Sequence, residues 1–108
     1  MISGVQIKNV VKHVDERGFF SELVKADDPF FTKIKQTSYS ETKPGLIKAF
    51  HYHKKQDDIW FAVKGEALAV LYDLRKKSPT YKQTQVIKMG ESNPVVVCIP
   101  KRVAHGYK

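Results

Sequence analysis

The chain has 108 residues, of which 42% are hydrophobic and 28% charged, a composition typical of one globular domain. No apolar run approaches the roughly 20 residues of a membrane-spanning helix, and the single cysteine excludes a disulfide framework. The net charge of +8 is dispersed along the chain without a nucleic-acid-reading motif, so we expect neither a nucleic-acid nor a membrane partner. Charged residues close to the N-terminus argue against a signal peptide, and we expect a cytoplasmic location.

Short apolar runs separated by turn residues follow one another along the chain. In order, they predict strands over residues 5–14, 19–25, 34–41 and 46–53, a hairpin over 59–74, and strands over 84–89 and 95–100. The hairpin is expected to turn at Lys64, Gly65 and Glu66, and the continuously apolar last strand is expected to be buried. No segment sustains the apolar spacing of a long helix. The pattern predicts an all-β fold, either a sandwich or a small barrel.

Two histidines, His51 and His53, stand one residue apart in a strand-like segment. Side chains alternate along an extended chain, so both should lie on one face, with Tyr52 on the other. Asp58 returns to that face, and His105 follows much later in the chain. Three imidazoles and one carboxylate could hold Fe, Mn, Ni, Cu or Zn with open positions for a substrate. The same histidines could instead supply a catalytic base or fill the inside of a barrel.

The spacing around these histidines resembles the first motif of the cupin superfamily, with Asp58 at the position of the usual glutamate. The later run IPKRVAH is similar to the second motif, Pro-x-Gly-x-x-His, with Arg102 where glycine is usual. The segments DERGFFSELV, IKQTSYS, VLYDLRKKSPTY and IPKRVAHGY resemble the dTDP-4-dehydrorhamnose 3,5-epimerase family of cupins, whose last signature reads I-P-x-G-x-A-H-G-F. The resemblance implies a single cupin domain over residues 1–108, a small jelly-roll β-barrel whose last strands would follow Lys108.

The resemblance also implies an activity: epimerisation of a dTDP-4-keto-6-deoxyhexose in dTDP-rhamnose or deoxysugar biosynthesis, without a cofactor. His51 falls on the family's catalytic base, which removes the proton α to the keto group, a task suited to a neutral imidazole. The resemblance assigns substrate contacts to Arg17, Glu22, Gln36, Lys48 and His105. The implied partner is a nucleotide sugar, and family members form homodimers that exchange N-terminal strands.

Several positions depart from the family pattern. Lys48 stands where the family has arginine, and Ser38 where it has asparagine. His53 replaces the family's glutamine, and Asp58 replaces its lysine. The family's acid tyrosine, and the aspartate that pairs with its base, lie beyond the position of Lys108, and we expect further residues there. Within the chain, Tyr52 and Tyr107 are the candidates for the acid, and strand alternation turns Tyr52 away from His51.

Two other functions stay open at this point. One is a metal cupin that binds a divalent transition metal through His51, His53, Asp58 and His105 and acts on another small molecule. The other is a non-catalytic cupin that binds a sugar without turning it over.

Overall fold

A computed structural model describes residues 1–108, and the chain forms strands and no helix, as predicted. There is accordingly no helix that could cross a membrane. The nine strands are β1 Gln6–Asn9, β2 His13–Asp15, β3 Gly18–Phe20, β4 Lys48–His51, β5 Asp58–Phe61, β6 Glu66–Asp73, β7 Thr84–Gly90, β8 Val95–Ile99 and β9 Val103–Tyr107.

The strands form two main antiparallel sheets and one separate hairpin. One sheet has the order β1-β8-β5, the other has the order β4-β9-β6-β7, and β2 pairs with β3 alone. The all-β prediction is therefore confirmed, but the sheets do not close into the expected barrel. Closure requires every strand to have a neighbour on both sides, whereas β1, β5, β4 and β7 each have one. Residues 21–47 form no strand, so no ladder from this segment joins the sheets.

Strand β8 lies at the centre of the packing and is buried along its whole length. On one face, Val97 and its neighbours pack in the main core with Leu71 of β6 and Val103 of β9. On the other face, Cys98 belongs to a second cluster with Phe30, which lies in the segment after β3. Burial raises the pKa of the Cys98 thiol to about 11, so this cysteine packs as a small hydrophobe. Burial on both faces explains the unbroken apolar run.

The predicted hairpin over residues 59–74 is wrong. Its first half, β5, pairs with β8, whereas its second half, β6, pairs with β7 and β9. Gly65, with a φ of 76°, lies in the turn that carries the chain from one sheet to the other. The strand predicted over residues 34–41 does not form either. Both errors have one cause, because an apolar run indicates an extended segment without indicating its partner.

A buried carboxylate organises the polar loop between β6 and β7. Asp73 is fully buried and accepts hydrogen bonds from the side chains of Arg75, Ser78 and Thr80. The Arg75 guanidinium is the largest cause of a pKa far below the usual range for that carboxyl group. Arg75 also donates to the backbone carbonyl of Ser3, so the N-terminus is tied to the same loop. This network is structural and lies apart from the histidines.

Candidate active site

Strands β4 and β9 bring the histidine segment and the second motif side by side. They pair antiparallel, with Lys48 opposite Tyr107 and His51 opposite His105. Residues opposite each other across a ladder project to the same face. Lys48 and His51 are three residues apart, which in a regular strand would place them on opposite faces. The register irregularity between them allows both pairs to share one face.

This register depends on a close approach of the two backbones at Gly106. A Cβ atom built there would lie 2.7 Å from the Cβ of Ala49, 2.8 Å from the carbonyl oxygen of Lys48 and 2.9 Å from the Cα of Ala49. Any side chain at this position would push β4 away from β9. Glycine therefore fixes the spacing between the strand that carries His51 and the strand that carries His105.

Three of the predicted metal ligands come together at the end of these strands. Their ligand atoms, from His53, Asp58 and His105, lie within 4.8 Å of one another. Oδ2 of Asp58 lies 3.5 Å from Nε2 of His53 and 3.1 Å from Nε2 of His105. His51 is outside this group, although its ring stacks on that of His105 with 6.3 Å between centroids. The structure thus separates His51 from the other three residues of the predicted ligand set.

A backbone hydrogen bond holds one member of this cluster, His53, in place. The N–H of Arg102 donates a 2.7 Å hydrogen bond to the carbonyl of His53. Arg102 has a φ of 68°, in the left-handed region where glycine is favoured, which explains why glycine is usual at this place in the second motif. The turn before β9 therefore anchors the chain that follows β4.

The protons of His105 can be placed from its partners. Nδ1 lies 3.0 Å from the carbonyl oxygen of Val103, which can only accept, so Nδ1 carries a proton. Nε2 then faces the carboxylate of Asp58, which is also an acceptor. The contact is favourable only if Nε2 is protonated as well or if a cation lies between the two groups. Gln56 donates to the other oxygen of Asp58 and orients the carboxylate.

An aromatic wall lies beside the histidines. Trp60 of β5 makes edge-to-face contacts with His105 at 5.1 Å and with Tyr107 at 5.8 Å between ring centroids. The hydroxyl of Tyr107 lies 2.6 Å from Oγ1 of Thr42. Hydrogen bonding from Thr42, followed by smaller contributions from Ser40 and Lys48, lowers the pKa of Tyr107.

The remaining predicted substrate contacts lie outside this cluster. Arg17, at the turn between β2 and β3, is 86% exposed and pairs with Asp15 at 2.6 Å. Glu22 is exposed, and Gln36 bonds only to Ser38 in the strandless segment. No hydrogen bond or ion pair links Arg17, Glu22 or Gln36 to the histidines. Of the predicted substrate contacts, Lys48 and His105 are the ones that the structure brings together with His51, the predicted base.

Sequence reasoning did not assign Trp60 or Thr42 to the site. Trp60 looked like an ordinary core aromatic, and Thr42 looked like part of a turn. The sequence did contain one signal, the hydroxyl of Tyr107. The family signature that this segment resembles ends in phenylalanine at that position.

Comparison with known proteins gives consistent matches over the whole chain. The family model for dTDP-4-dehydrorhamnose 3,5-epimerase matches residues 1–108. The spore coat polysaccharide biosynthesis protein SpsL of Bacillus subtilis is 55% identical over 108 residues, which are 100% of this chain and 72% of that protein. A dTDP sugar isomerase from Desulfovibrio desulfuricans superposes with a TM-score of 0.91 at 27% identity, covering 98% of this chain and 68% of the other.

A second solved structure, dTDP-4-dehydrorhamnose 3,5-epimerase from Sulfolobus tokodaii, superposes with a TM-score of 0.86 at 29% identity. That match covers 98% of this chain and 64% of the other. The chain spans 51–56% of the length of the curated relatives that carry the 3,5-epimerase name.

Proposed function

Because the chain belongs to the dTDP-4-dehydrorhamnose 3,5-epimerase family of cupins, as its sequence predicted, we propose that it epimerises a dTDP-4-keto-6-deoxyhexose with His51 as the base. The observation that carries this proposal is the shared face of β4 and β9, where His51 and His105 lie opposite each other beside Lys48. His51 is exposed, and its ring nitrogens make no hydrogen bond within the chain. A neutral imidazole of this kind has a lone pair available to accept a proton.

The reaction requires two proton transfers at one carbon. His51 takes the proton from the carbon α to the 4-keto group, and the electrons of the broken C–H bond form the enolate. Return of a proton to the opposite face of that carbon inverts its configuration. Lys48 supplies a positive charge on the same face, where negative charge develops on the keto oxygen. His105, stacked beside His51, forms the floor against which the sugar rests.

We assign binding of the nucleotide part of the substrate to the predicted substrate contacts that lie outside the histidine cluster. Arg17 is suited to grip a diphosphate through its forked guanidinium, with Glu22 and Gln36 contacting the nucleotide sugar. A groove of about 280 Å³ beside the β2–β3 hairpin is lined in part by Arg17, Phe19 and Phe20. This groove lies apart from the histidines of the same chain. The separation supports a role for the hairpin in the site of a second copy of the chain.

A homodimer is therefore part of the proposal. Val14, Phe19 and Phe20 on the hairpin are all more than half exposed, although they are large and apolar. A second copy that covers them would remove this apolar area from water and could receive Arg17 in its own site. We also propose a single cupin domain over residues 1–108 and a cytoplasmic location, the latter supported by the free thiol of Cys98.

Solvent deuterium exchange tests the activity. Incubating the protein with dTDP-4-keto-6-deoxyglucose in deuterated water should place deuterium at C3, at C5 or at both, as read by NMR. The number of labelled positions distinguishes a single from a double epimerase. The His51→Asn variant should bind the nucleotide sugar and introduce no label. Binding of the sugar by the unaltered protein without any label would contradict the proposal and favour the non-catalytic cupin.

One observation favours a second candidate, a metal centre formed by His53, Asp58 and His105. Ligands about 2.0–2.1 Å from a tetrahedral metal are about 3.3 Å apart, close to the 3.1 and 3.5 Å separations from Asp58. The bond between Nδ1 of His105 and the carbonyl of Val103 is of the kind that orients metal-binding imidazoles. The residues thus fit a divalent transition metal, which would polarise a carbonyl or a bound water.

Elemental analysis of untagged protein tests this candidate directly. About one equivalent of a transition metal, lost in a His53→Ala variant and kept in His51→Asn, would support it. Less than about a tenth of an equivalent, together with no visible absorption on adding Co²⁺, would exclude it.

A further inference from the structure

Four cationic residues belong to two loops that meet at one end of the β4–β9 ladder, beside the histidine cluster. One loop joins β4 to β5, and the other is the tight turn between β8 and β9. The backbone N–H of Arg102 donates to the carbonyl of His53 at 2.7 Å, and that of Lys101 donates to Oδ1 of Asp57 at 2.8 Å. These bonds hold the two loops side by side. We call their cationic residues the basic rim: Lys54, Lys55, Lys101 and Arg102.

The basic rim carries positive charge that the chain itself does not neutralise. Its four residues are exposed, and none of them forms an ion pair. The carboxylates in the same stretch are those of Asp57, which accepts from the backbone of Lys101, and Asp58, which faces the histidines. Four positive and two negative charges leave a net charge of +2. A surface of this kind attracts an anion.

The backbone at Arg102 is unfavourable for a residue with a side chain. Its φ of 68° lies in the left-handed region, which glycine adopts freely and which a Cβ disfavours. Glycine is usual at this place in the motif that the segment resembles, so the turn itself does not require a side chain. Residues held in such conformations concentrate at binding and active sites. A guanidinium in this position is suited to bidentate binding of phosphate oxygens.

The basic rim and Lys48 lie at opposite ends of the site. Lys48 pairs with Tyr107 at one end of the ladder, and the turn that carries Arg102 precedes β9 at the other end. His51 and His105 lie opposite each other between these ends. In a 4-keto hexose, C1 lies across the ring from C4. A sugar whose keto oxygen is near Lys48 therefore directs the group on C1 toward the basic rim, and in a nucleotide sugar that group is the diphosphate.

We propose that the basic rim is a diphosphate subsite of this chain, in which Arg102 binds phosphate oxygens through its guanidinium and the three lysines neutralise charge. None of the four residues is among the substrate contacts that the family resemblance assigns. Arg102 is three residues from His105, about 10 Å along an extended chain, which a hexose ring and an extended arginine side chain span together. The inference rests on the proposed epimerase function and fixes the direction of the sugar within the site. The contact proposed for Arg17 of a second copy adds to this subsite.

The Arg102→Gly variant tests the subsite, because it removes the guanidinium and at the same time relieves the backbone. Binding of dTDP, measured by titration calorimetry, should weaken about 10- to 100-fold, although the melting temperature rises. KM for the nucleotide sugar should rise with it, and KM rather than kcat should carry the loss of activity. Arg102→Lys keeps the charge without the forked donors and should recover part of the affinity.

Lys82→Gly is the matched control. Lys82 is the only other non-glycine residue with a left-handed φ, 69°, and it lies in the loop between β6 and β7. This variant removes one positive charge and relieves the same kind of backbone strain. Its binding of dTDP should stay within about twofold of that of the unaltered protein, so a difference between the two variants reports the guanidinium of Arg102.

The outcomes separate this subsite from the epimerase function. If Arg102→Gly binds dTDP within about twofold of the unaltered protein, the subsite is overturned, and deuterium exchange by the unaltered protein still supports the activity. If dTDP binding falls in Arg102→Gly while the unaltered protein exchanges no deuterium, the subsite stands and the activity is refuted. An equal loss of thymidine binding would mean that the substitution disturbs the nucleoside contact, and it would overturn the assignment to the diphosphate.

Discussion

Nε2 of His105 lies 3.1 Å from Oδ2 of Asp58, and this contact joins the two main sheets. Asp58 begins β5 of the three-stranded sheet, and His105 lies within β9 of the four-stranded sheet. The histidine is buried, with 3% of its side chain exposed, and the aspartate is largely buried. The interaction therefore serves both the packing of the sheets and the arrangement of the site.

Replacing Asp58 with asparagine should lower stability. The amide would keep the shape of the side chain but would leave the buried His105 without a charged partner, at a cost of about 1.5–3 kcal/mol. Urea denaturation at neutral pH measures the change. Asp27→Asn is a suitable control because Asp27 is 81% exposed and has only a distant partner in Lys25. Equal stability of the Asp58 variant and the control would contradict this account of the cluster.

Replacing Arg102 with glycine should stabilise the fold. The φ of 68° disfavours a residue with a Cβ, and glycine would relieve about 1 kcal/mol. The backbone N–H that donates to the carbonyl of His53 is kept in this variant. The neighbouring Lys101→Gly has no positive φ to relieve and should destabilise instead. A lower melting temperature for Arg102→Gly than for the unaltered protein would refute the strain argument.

Adding one methyl group at Gly106 should disrupt the site. The new Cβ in Gly106→Ala would lie within 3 Å of the backbone of β4, so the two strands must separate, at a cost of about 1–3 kcal/mol. We expect loss of deuterium exchange as well as lower stability in urea. Adding Ala49→Gly removes one of the three close contacts and should restore part of the stability. If the double variant recovers no stability, the strain arises from a contact other than the one with Ala49.

Acidification should weaken the loop network around Asp73. Its pKa is lowered in the folded state, chiefly by Arg75, so its ionised form stabilises the fold at neutral pH. This contribution is complete above the unfolded pKa of about 3.9 and is lost as the pH falls below it. Urea midpoints at several pH values should show the advantage over Asp73→Asn shrinking below about pH 4. A constant difference between the two proteins would disprove the linkage.

The sequence predicted the parts of the fold that depend on local pattern. The buried β8 followed from its unbroken apolar run, and the meeting of His53, Asp58 and His105 followed from motif spacing. The pairing of strands could not be predicted from the sequence pattern, because residues 59–74 have the pattern of a hairpin whether or not their two halves pair. The register irregularity between Lys48 and His51 has no local signature, so the placing of Tyr107 beside Lys48 required the structure.

The site combines a central strand with strands at the edges of the sheets. His105 lies on β9, which has neighbours on both sides, whereas His51 and Asp58 lie on the four-residue edge strands β4 and β5. Edge strands open locally at lower free energy than central ones, so their amides should exchange with deuterated water well before those of β8 and β9. The half of the site that carries His51, the proposed base, can therefore open while the hydrophobic core stays closed.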